Sequence, residues 1–337
     1  MSTQSIKPSI DSTTQNTWNP TKYMSYMNIR ERPGIELMTR LVYHYNTIKH
    51  QINTNNELYI YDLGCGTGNL TEKLYESIQS NTDSNIHIHT TGIDSSTSMI
   101  QHAASHNQYH SIIRYIPGDV SQSLIDNSSA DIIFSNACYH WIHSHHIIYP
   151  MLVNQLKLHT GLLAIQIPNN FNSPYHTQIA SVLEDLQLID IDYMNDGHTV
   201  GHYYSMETHD MLYYDKLLSP LCDIVDIWQT EYNQVLTGQM YIQELNRLSN
   251  GVTALNNINI DNHEYLHPVV NFTMGSALTA VLPKLTTQQQ IEFLYLYNRR
   301  MIRMYPVQQT SDADNNGLVH VRVIFPFNRL FLIAKRK

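Results

Sequence analysis

A glycine-rich segment, Asp62-Leu63-Gly64-Cys65-Gly66-Thr67-Gly68-Asn69, has the residue types and spacing of a ligand-binding turn. It follows a β-rich run at 58–63 and precedes apolar residues at helical spacing. Glycines lack a Cβ atom, so the backbone can turn tightly and approach a ligand closely. The next helix would add free N–H groups and a positive dipole end. We therefore predict a binding site that contains Asp62, Gly64, Cys65, Gly66 and Gly68.

Asp94, at the end of the second predicted strand, indicates which ligand this turn binds. A carboxylate at that position can accept hydrogen bonds from both hydroxyls of an adenosine ribose. Nicotinamide cofactors and S-adenosylmethionine are both bound by this layout. The G-x-G-x-G spacing favours S-adenosylmethionine. Asp62 does so too, because its carboxylate would repel the pyrophosphate of a nicotinamide cofactor and attract the ammonium group of S-adenosylmethionine. A nicotinamide site and a glycine-rich turn without a ligand remain as alternatives.

Side chains at the ends of the later strands complete the predicted cofactor pocket. Asp119 follows the third strand, where it could hydrogen-bond an adenine amino group. Asn136 ends the fourth strand, beneath the expected sulfonium. The carboxyl ends of parallel strands meet at the crevice of a topological switch point. The other residues assigned to this pocket are neighbours of these positions: Ser95, Met99, Val120 and Ala137.

The elements that position these residues alternate between strand and helix. Such alternation predicts parallel strands joined by right-handed crossovers, in a doubly wound, Rossmann-like α/β fold with a mostly parallel seven-stranded sheet. We expect two separate strands near the C-terminus, at 318–325 and 330–334. The predicted organisation is a disordered tail at 1–17, a cofactor-binding domain at 18–231, a helical cap at 232–305 and, at 306–337, strands that complete the sheet.

Composition and charge narrow the range of partners. The 337 residues carry a net charge of −9, which argues against nucleic acid or an anionic membrane as the main partner. No apolar run approaches the ~20 residues of a membrane span, and the polar start does not resemble a signal peptide. Three cysteines without a CxxC pair predict reduced thiols and a cytoplasmic location. No feature of the sequence predicts an oligomeric state.

The histidines at 140, 143, 145 and 146 are the one group that invites a metal interpretation. The sequence near them contains no carboxylate, and the spacing to Cys138 fits no common zinc site. We therefore expect a polar, histidine-rich loop and no metal.

Several segments resemble a known family. The glycine-rich turn, Gly92–Ser96 and Asp131–Ala137 are similar to the motifs of class I S-adenosylmethionine-dependent methyltransferases. Within that class, the chain resembles the trans-aconitate 2-methyltransferase family over roughly 18–337, with gaps. The segments that carry this resemblance are Trp18–Tyr23, Arg30–Pro33, Trp141, Gln166–His176, Val225–Thr230, Tyr305-Pro306 and Phe327–Phe331.

The resemblance implies methyl transfer from S-adenosylmethionine to a carboxylate of trans-aconitate or a related small polycarboxylic acid, giving a monomethyl ester and S-adenosylhomocysteine. It adds Tyr23 to the cofactor-binding residues. A carboxylic acid is already ionised at pH 7, so we expect no general base and no catalytic side chain in that sense. Proximity and in-line alignment would drive the reaction.

Holding the acceptor anion is then the main task of the side chains. Arginine suits this task because its planar fork binds carboxylates bidentately. Trp141 is expected to wall the acceptor pocket, with plain core packing as the alternative. The other residues predicted to bind the substrate are Arg30, Arg32, Asn170, His176, Tyr305 and Arg329.

Four features depart from the family pattern. Gln234 stands where the family has a histidine, Thr279 where it tends to have an arginine, and His140 where a glutamine is more usual; extra residues occupy roughly 240–268. The loss of an arginine matters for binding a tricarboxylate. Two other functions therefore stay open: methylation of another small acceptor, such as a hydrophobic acid or another oxygen or nitrogen nucleophile, and non-catalytic binding of S-adenosylmethionine.

Overall fold

The computed structural model describes residues 27–52, 56–188, 207–243, 245 and 265–337. Tyr23, the predicted tail and most of the 240–268 insertion lie outside the described residues, as does the side chain of Arg30. Within the described ranges, no helix is both long enough and apolar enough to cross a membrane.

One mixed sheet organises the fold. Its strands lie in the order β3-β2-β1-β4-β5-β8-β6, and the short β7 pairs with β8. The first five strands run parallel to one another, and β8 runs antiparallel to both β5 and β6. The doubly wound, mostly parallel α/β prediction is confirmed, but the described sheet has eight strands where seven were predicted, because the two-residue β7 pairs with β8. The strands are β1 Glu57–Leu63, β2 His87–Asp94, β3 Ile113–Pro117, β4 Ile132–Asn136, β5 Leu162–Pro168, β6 Cys222–Tyr241, β7 Gln308–Gln309 and β8 Leu318–Arg336.

Helices cover both faces of this sheet and form a separate layer over one end of it. Apolar residues of α1 and α2 pack on one face, and those of α4 and α6 pack on the other. The helices are α1 Met27–Ile48, α2 Asn69–Gln79, α3 Thr97–His106, α4 His145–Gln155, α5 Pro174–Asp185, α6 Met211–Leu218, α7 Pro268–Met274 and α8 Thr287–Met304.

The cap has a core of its own. Helices α5, α7 and α8 bury their apolar residues against the far halves of β6 and β8, around Leu236, Val323 and Phe325. A capping box of Thr286 and Gln289 begins α8, because the threonine hydroxyl and the glutamine side chain satisfy backbone N–H groups that the first turn leaves open. The sheet and the cap therefore share two strands. The predicted domain boundary at 231–232 falls inside β6, which runs unbroken from Cys222 to Tyr241.

Candidate active site

A cavity of about 570 Å³ opens at the carboxyl ends of the central strands and extends under the cap. Its size lies within the range of small-molecule sites. Most of the residues predicted from the sequence to bind the cofactor line it. They are Asp62, Gly64, Cys65, Gly66, Asp94, Ser95, Met99, Asp119, Val120, Asn136 and Ala137.

The glycine-rich turn is shaped by backbone conformations that other residues rarely adopt. Gly64, Gly66 and Gly68 have φ angles of +77°, +54° and +81°. A Cβ at Gly64 would lie 2.3 Å from Cys138, and one at Gly68 would lie 2.5 Å from the Tyr115 hydroxyl. A Cβ at Gly66 would meet no atom within 4 Å. Gly64 and Gly68 therefore serve the packing of the chain itself, whereas the turn at Gly66 faces open space that a ligand can fill.

Asp94 ties the end of β2 to this turn. Its Oδ2 accepts a hydrogen bond from the Gly66 N–H at 2.9 Å, and its Oδ1 accepts one from the Ser96 N–H at 2.8 Å. Each carboxylate oxygen can accept a further hydrogen bond, because a carboxylate offers about four acceptor positions. The group is thus held in place beside the turn with capacity left for the two hydroxyls of a ribose.

Asp62 is the second-last residue of β1, just before the glycine-rich turn, and is 2% exposed. Burial raises the pKa of its carboxyl to about 7, while a hydrogen bond from the Thr71 hydroxyl, at 2.6 Å, opposes the rise. Near neutral pH this carboxyl is therefore divided between its protonated and ionised forms. A cationic ligand group beside it would favour the ionised form.

We predict that the affinity for S-adenosylmethionine rises with pH because of Asp62. The ammonium group of the cofactor stabilises the carboxylate, so binding below pH 7 must first remove a proton from Asp62. With a free-protein pKa of about 7, the dissociation constant should fall about tenfold between pH 6 and pH 8. Titration calorimetry at several pH values measures this. Asp62→Asn should bind more weakly with a flat pH profile, and a flat profile in the unmodified protein would contradict the assignment.

Asp119 lies just after β3, and hydrogen bonds from neighbouring residues fix the orientation of its carboxylate. Hydrogen bonds from the hydroxyl and the N–H of Ser121, at 2.7 and 3.0 Å, lower its pKa. The side chain of Gln122 donates to its other oxygen at 3.1 Å. The buried Val120 follows it and provides an apolar surface. Asp119 and Val120 together suit a planar base with an exocyclic amino group, because the carboxylate can accept the amino N–H and the valine can pack against the ring.

Arg329 is the main charged group at the other end of the cavity, and it is 7% exposed. It lies on β8 opposite Pro168 of β5, and its guanidinium carbon is 4.2 Å from the centre of the Phe327 ring. The buried Asn170 lies two residues beyond Pro168 and donates to the Tyr175 hydroxyl. Pairing of β5 with β8 thus brings a cation and an amide to the same part of the wall.

Two buried histidines line the cavity beside Arg329. Burial, and then the nearby charge of Arg329, hold the pKa of His140 well below its usual range. Burial lowers the pKa of His176 to about 3. Both imidazoles are therefore neutral at pH 7, and each offers one N–H donor and one acceptor nitrogen. His140 was not predicted as a substrate contact, because it was assigned with its neighbouring histidines to a polar loop.

The remaining predicted substrate residues fall into three places. Trp141 lines the mouth of the cavity and is 38% exposed. Arg32 does not line the cavity: it is exposed, with its guanidinium carbon 5.0 Å from the centre of the Tyr232 ring. Tyr305 is buried behind the wall, where its hydroxyl accepts a hydrogen bond from the Tyr175 N–H at 3.3 Å. The structure therefore does not bring Arg32 and Tyr305 to the acceptor site.

Gly68, which was predicted to bind the cofactor, also lies outside the residues that line the cavity.

One cluster has donor atoms suited to a metal ion. Ligand atoms of His145, Glu207 and His209 lie within 4.8 Å of one another. The sequence near these histidines contains no carboxylate, but the fold brings Glu207 to this loop. Glu207 accepts hydrogen bonds from the N–H groups of Ser144 and His145 at the start of α4, at 2.7 and 3.2 Å. These hydrogen bonds give the carboxylate a structural role, and the absence of a metal stays a prediction.

Comparisons with known proteins agree with this geometry. Residues 60–154 match a family model described as a methyltransferase domain. A trans-aconitate 2-methyltransferase of Escherichia coli O1:K1 / APEC is 28% identical over 319 residues, which are 95% of this chain and 98% of that protein. One from Enterobacter sp. (strain 638) is 26% identical over 325 residues, with the same coverage. A solved loganic acid methyltransferase with SAH shares the fold, with a TM-score of 0.57 at 10% identity over 92% of this chain and 95% of that one.

The fold is that of class I methyltransferases, and the family match and the relatives support a methyltransferase that depends on S-adenosylmethionine. Within that class, the chain is similar along nearly its whole length to the trans-aconitate 2-methyltransferases.

The cavity fits S-adenosylmethionine. The open face at Gly66 leaves room for a ligand, and Asp94 has free acceptor positions for its ribose. Asn136 Oδ1 is buried and finds no hydrogen-bond partner among the described residues, so a cationic ligand group would satisfy it. When bound, the cofactor supplies an activated methyl group.

Proposed function

We propose that this protein transfers the methyl group of S-adenosylmethionine to a carboxylate of a small acid, forming a methyl ester and S-adenosylhomocysteine. The observation that carries the proposal is the buried Arg329 in the wall of the cavity, on β8, which lies four strands along the sheet from β2 and its Asp94. A guanidinium in a buried pocket attracts an anion and can bind a carboxylate with two hydrogen bonds.

The neutral side chains around Arg329 support an anionic acceptor. His140 Nδ1 is buried and has no hydrogen-bond partner within the described ranges. Buried polar atoms of this kind are costly unless a ligand or water pairs with them. A carboxylate that lies against Arg329 could accept the imidazole N–H of His140.

The chemistry needs no base from the protein. The acceptor is already an anion at pH 7, so no proton has to be removed. One carboxylate oxygen forms a bond to the methyl carbon, and the electron pair of the C–S bond passes to sulfur. Arg329 and His140 would hold the acceptor so that one carboxylate oxygen can approach the methyl carbon to ~3 Å, in line with the C–S bond. Arg329 would bind the carboxylate while leaving a lone pair on the attacking oxygen.

The name of the relatives makes trans-aconitate the first acceptor to test, together with other small polycarboxylic acids. Another small-molecule acceptor is the alternative at the same site, and a cytoplasmic location stays a prediction.

An assay of S-adenosylhomocysteine release tests the proposal. The protein is incubated with S-adenosylmethionine and, in turn, trans-aconitate, dicarboxylates and monocarboxylates, and methyl esters are identified by mass spectrometry. We expect release that depends on the acid and a matching ester. Cofactor binding without release for any acid would contradict carboxylate methylation, and release with an amine or alcohol instead would favour the alternative acceptor.

A further inference from the structure

We propose that the acceptor places a single carboxylate in the cavity and carries an apolar body, so that a monocarboxylic acid is methylated better than a tricarboxylate. This inference rests on the carboxylate methylation proposed above and names its substrate class. Two independent features of the cavity wall lead to this inference. One is the number of acidic and basic residues that line the cavity, and the other is the aromatic surface beside Arg329.

The charge balance of the wall favours one carboxylate. Among the described residues that line the cavity, Arg329 is the single arginine or lysine. The lining also contains four acidic residues: Glu31, Asp62, Asp94 and Asp119. His140 and His176 add no charge at pH 7, because burial lowers the pKa of both imidazoles. A trianion would therefore place one carboxylate on Arg329 and leave two without a cation in the described wall, where burying them is costly.

The wall next to Arg329 is aromatic. The guanidinium lies over the Phe327 ring, whose centre is 6.1 Å from that of Phe272 and 6.3 Å from that of Tyr175. The Tyr175 hydroxyl accepts a hydrogen bond from the Asn170 side chain and keeps one O–H donor. The rings of Phe327 and Phe272 bury apolar groups favourably and carry no polar atom for a second carboxylate, so the Tyr175 hydroxyl is the one hydrogen-bond donor of these three rings.

Other apolar residues continue this surface under the cap. Phe171 packs against His176 with ring centres 5.2 Å apart, and Ala277 is buried in the short turn after α7. Both line the cavity. One end of the acceptor would therefore meet Arg329, His140 and His176, and the remainder would meet mainly apolar groups, with Ser276 and Thr279 as polar residues of the cap wall.

A series of acids with a shared acrylate unit tests the inference. We compare kcat/KM of the unmodified protein for trans-aconitate, trans-glutaconate, trans-2-pentenoate and cinnamate, which carry three, two, one and one carboxylates. We expect the better of the two monoacids to exceed trans-aconitate at least tenfold, with glutaconate between them. A smaller difference, or a preference for trans-aconitate, overturns the inference and leaves carboxylate methylation standing. Release with none of the acids, despite cofactor binding, overturns both.

A variant pair at Thr279 tests the charge argument directly. Thr279 is half-buried in the cavity wall, and its hydroxyl donates to the Ser276 carbonyl at 2.6 Å. Thr279→Arg adds a cation there, and Thr279→Met is the control that adds comparable length without charge. We expect the ratio of kcat/KM for trans-aconitate to that for cinnamate to be at least fivefold higher in the arginine variant than in the methionine variant. Equal ratios in the two variants would overturn the inference.

Discussion

Arg329→Met is expected to lower kcat/KM for the carboxylate acceptor by roughly 100-fold, the largest effect of any single replacement in the acceptor site. The guanidinium is buried, so the acceptor carboxylate would lose its counter-charge in a place that water screens poorly. Removing one partner of a buried ion pair costs about 3 kcal/mol or more, which corresponds to roughly 100-fold. Steady-state kinetics with the best acid in the acceptor panel measures the loss.

Arg322→Met provides the matched control. Arg322 lies on the same strand, but it is exposed and donates to the Gln308 side chain at 2.7 Å. Its replacement should change kcat/KM by less than twofold. Arg329→Lys should retain part of the activity, because lysine keeps the charge and loses the planar fork. If Arg329→Met folds, binds the cofactor normally and still methylates the acid at a rate close to that of the unmodified protein, the acceptor site has been placed wrongly.

Asp94→Ala is expected to weaken binding of S-adenosylhomocysteine by roughly 100-fold. The carboxylate would no longer accept the ribose hydroxyls, and hydrogen bonds to a charged acceptor contribute about 1.5–3 kcal/mol each. The replacement would also release the Gly66 and Ser96 N–H groups that Asp94 holds. Isothermal titration calorimetry measures the dissociation constant.

The control for Asp94 is the exposed Asp126, which does not line the cavity. Asp126→Ala should bind S-adenosylhomocysteine as the unmodified protein does. Circular dichroism of both variants separates lost binding from lost folding. A dissociation constant for Asp94→Ala within threefold of the unmodified value would show that this carboxylate does not hold the ribose.

The cofactor side of the cavity was largely predictable from the sequence because local rules determine it. A strand followed by a glycine-rich turn and a helix fixes where Asp62 and Gly66 lie. Parallel pairing then brings the ends of β2, β3 and β4 to the same edge. The positions of Asp94, Asp119 and Asn136 follow from those strand ends alone.

The acceptor side was less predictable because tertiary packing determines it. Phe272 and Thr279 reach the cavity from cap segments whose position no strand-end rule specifies. The misplacement of Arg32 has a simpler cause: successive helical residues point about 100° apart. Glu31 lines the cavity, so its neighbour Arg32 points elsewhere, toward Tyr232.

Strand β8 also differs from the sequence prediction. Two strands were expected near the C-terminus, whereas Leu318–Arg336 forms one. Pro326 lies in the gap between the two expected strands. The structure tolerates it because β8 pairs with β5 only from Arg329 to Lys335, and at Pro326 it pairs with β6. At Pro326, the edge of β8 that faces away from β6 forms no backbone hydrogen bonds to another strand, so a proline there interrupts none.

A crystal structure of the protein with S-adenosylhomocysteine tests the central claim most directly. We predict the ribose hydroxyls at Asp94, the adenine beside Asp119 and Val120, and the sulfur near Asn136, facing the part of the cavity that contains Arg329. A nucleoside bound elsewhere, or a sulfur that points away from Arg329, would contradict the account.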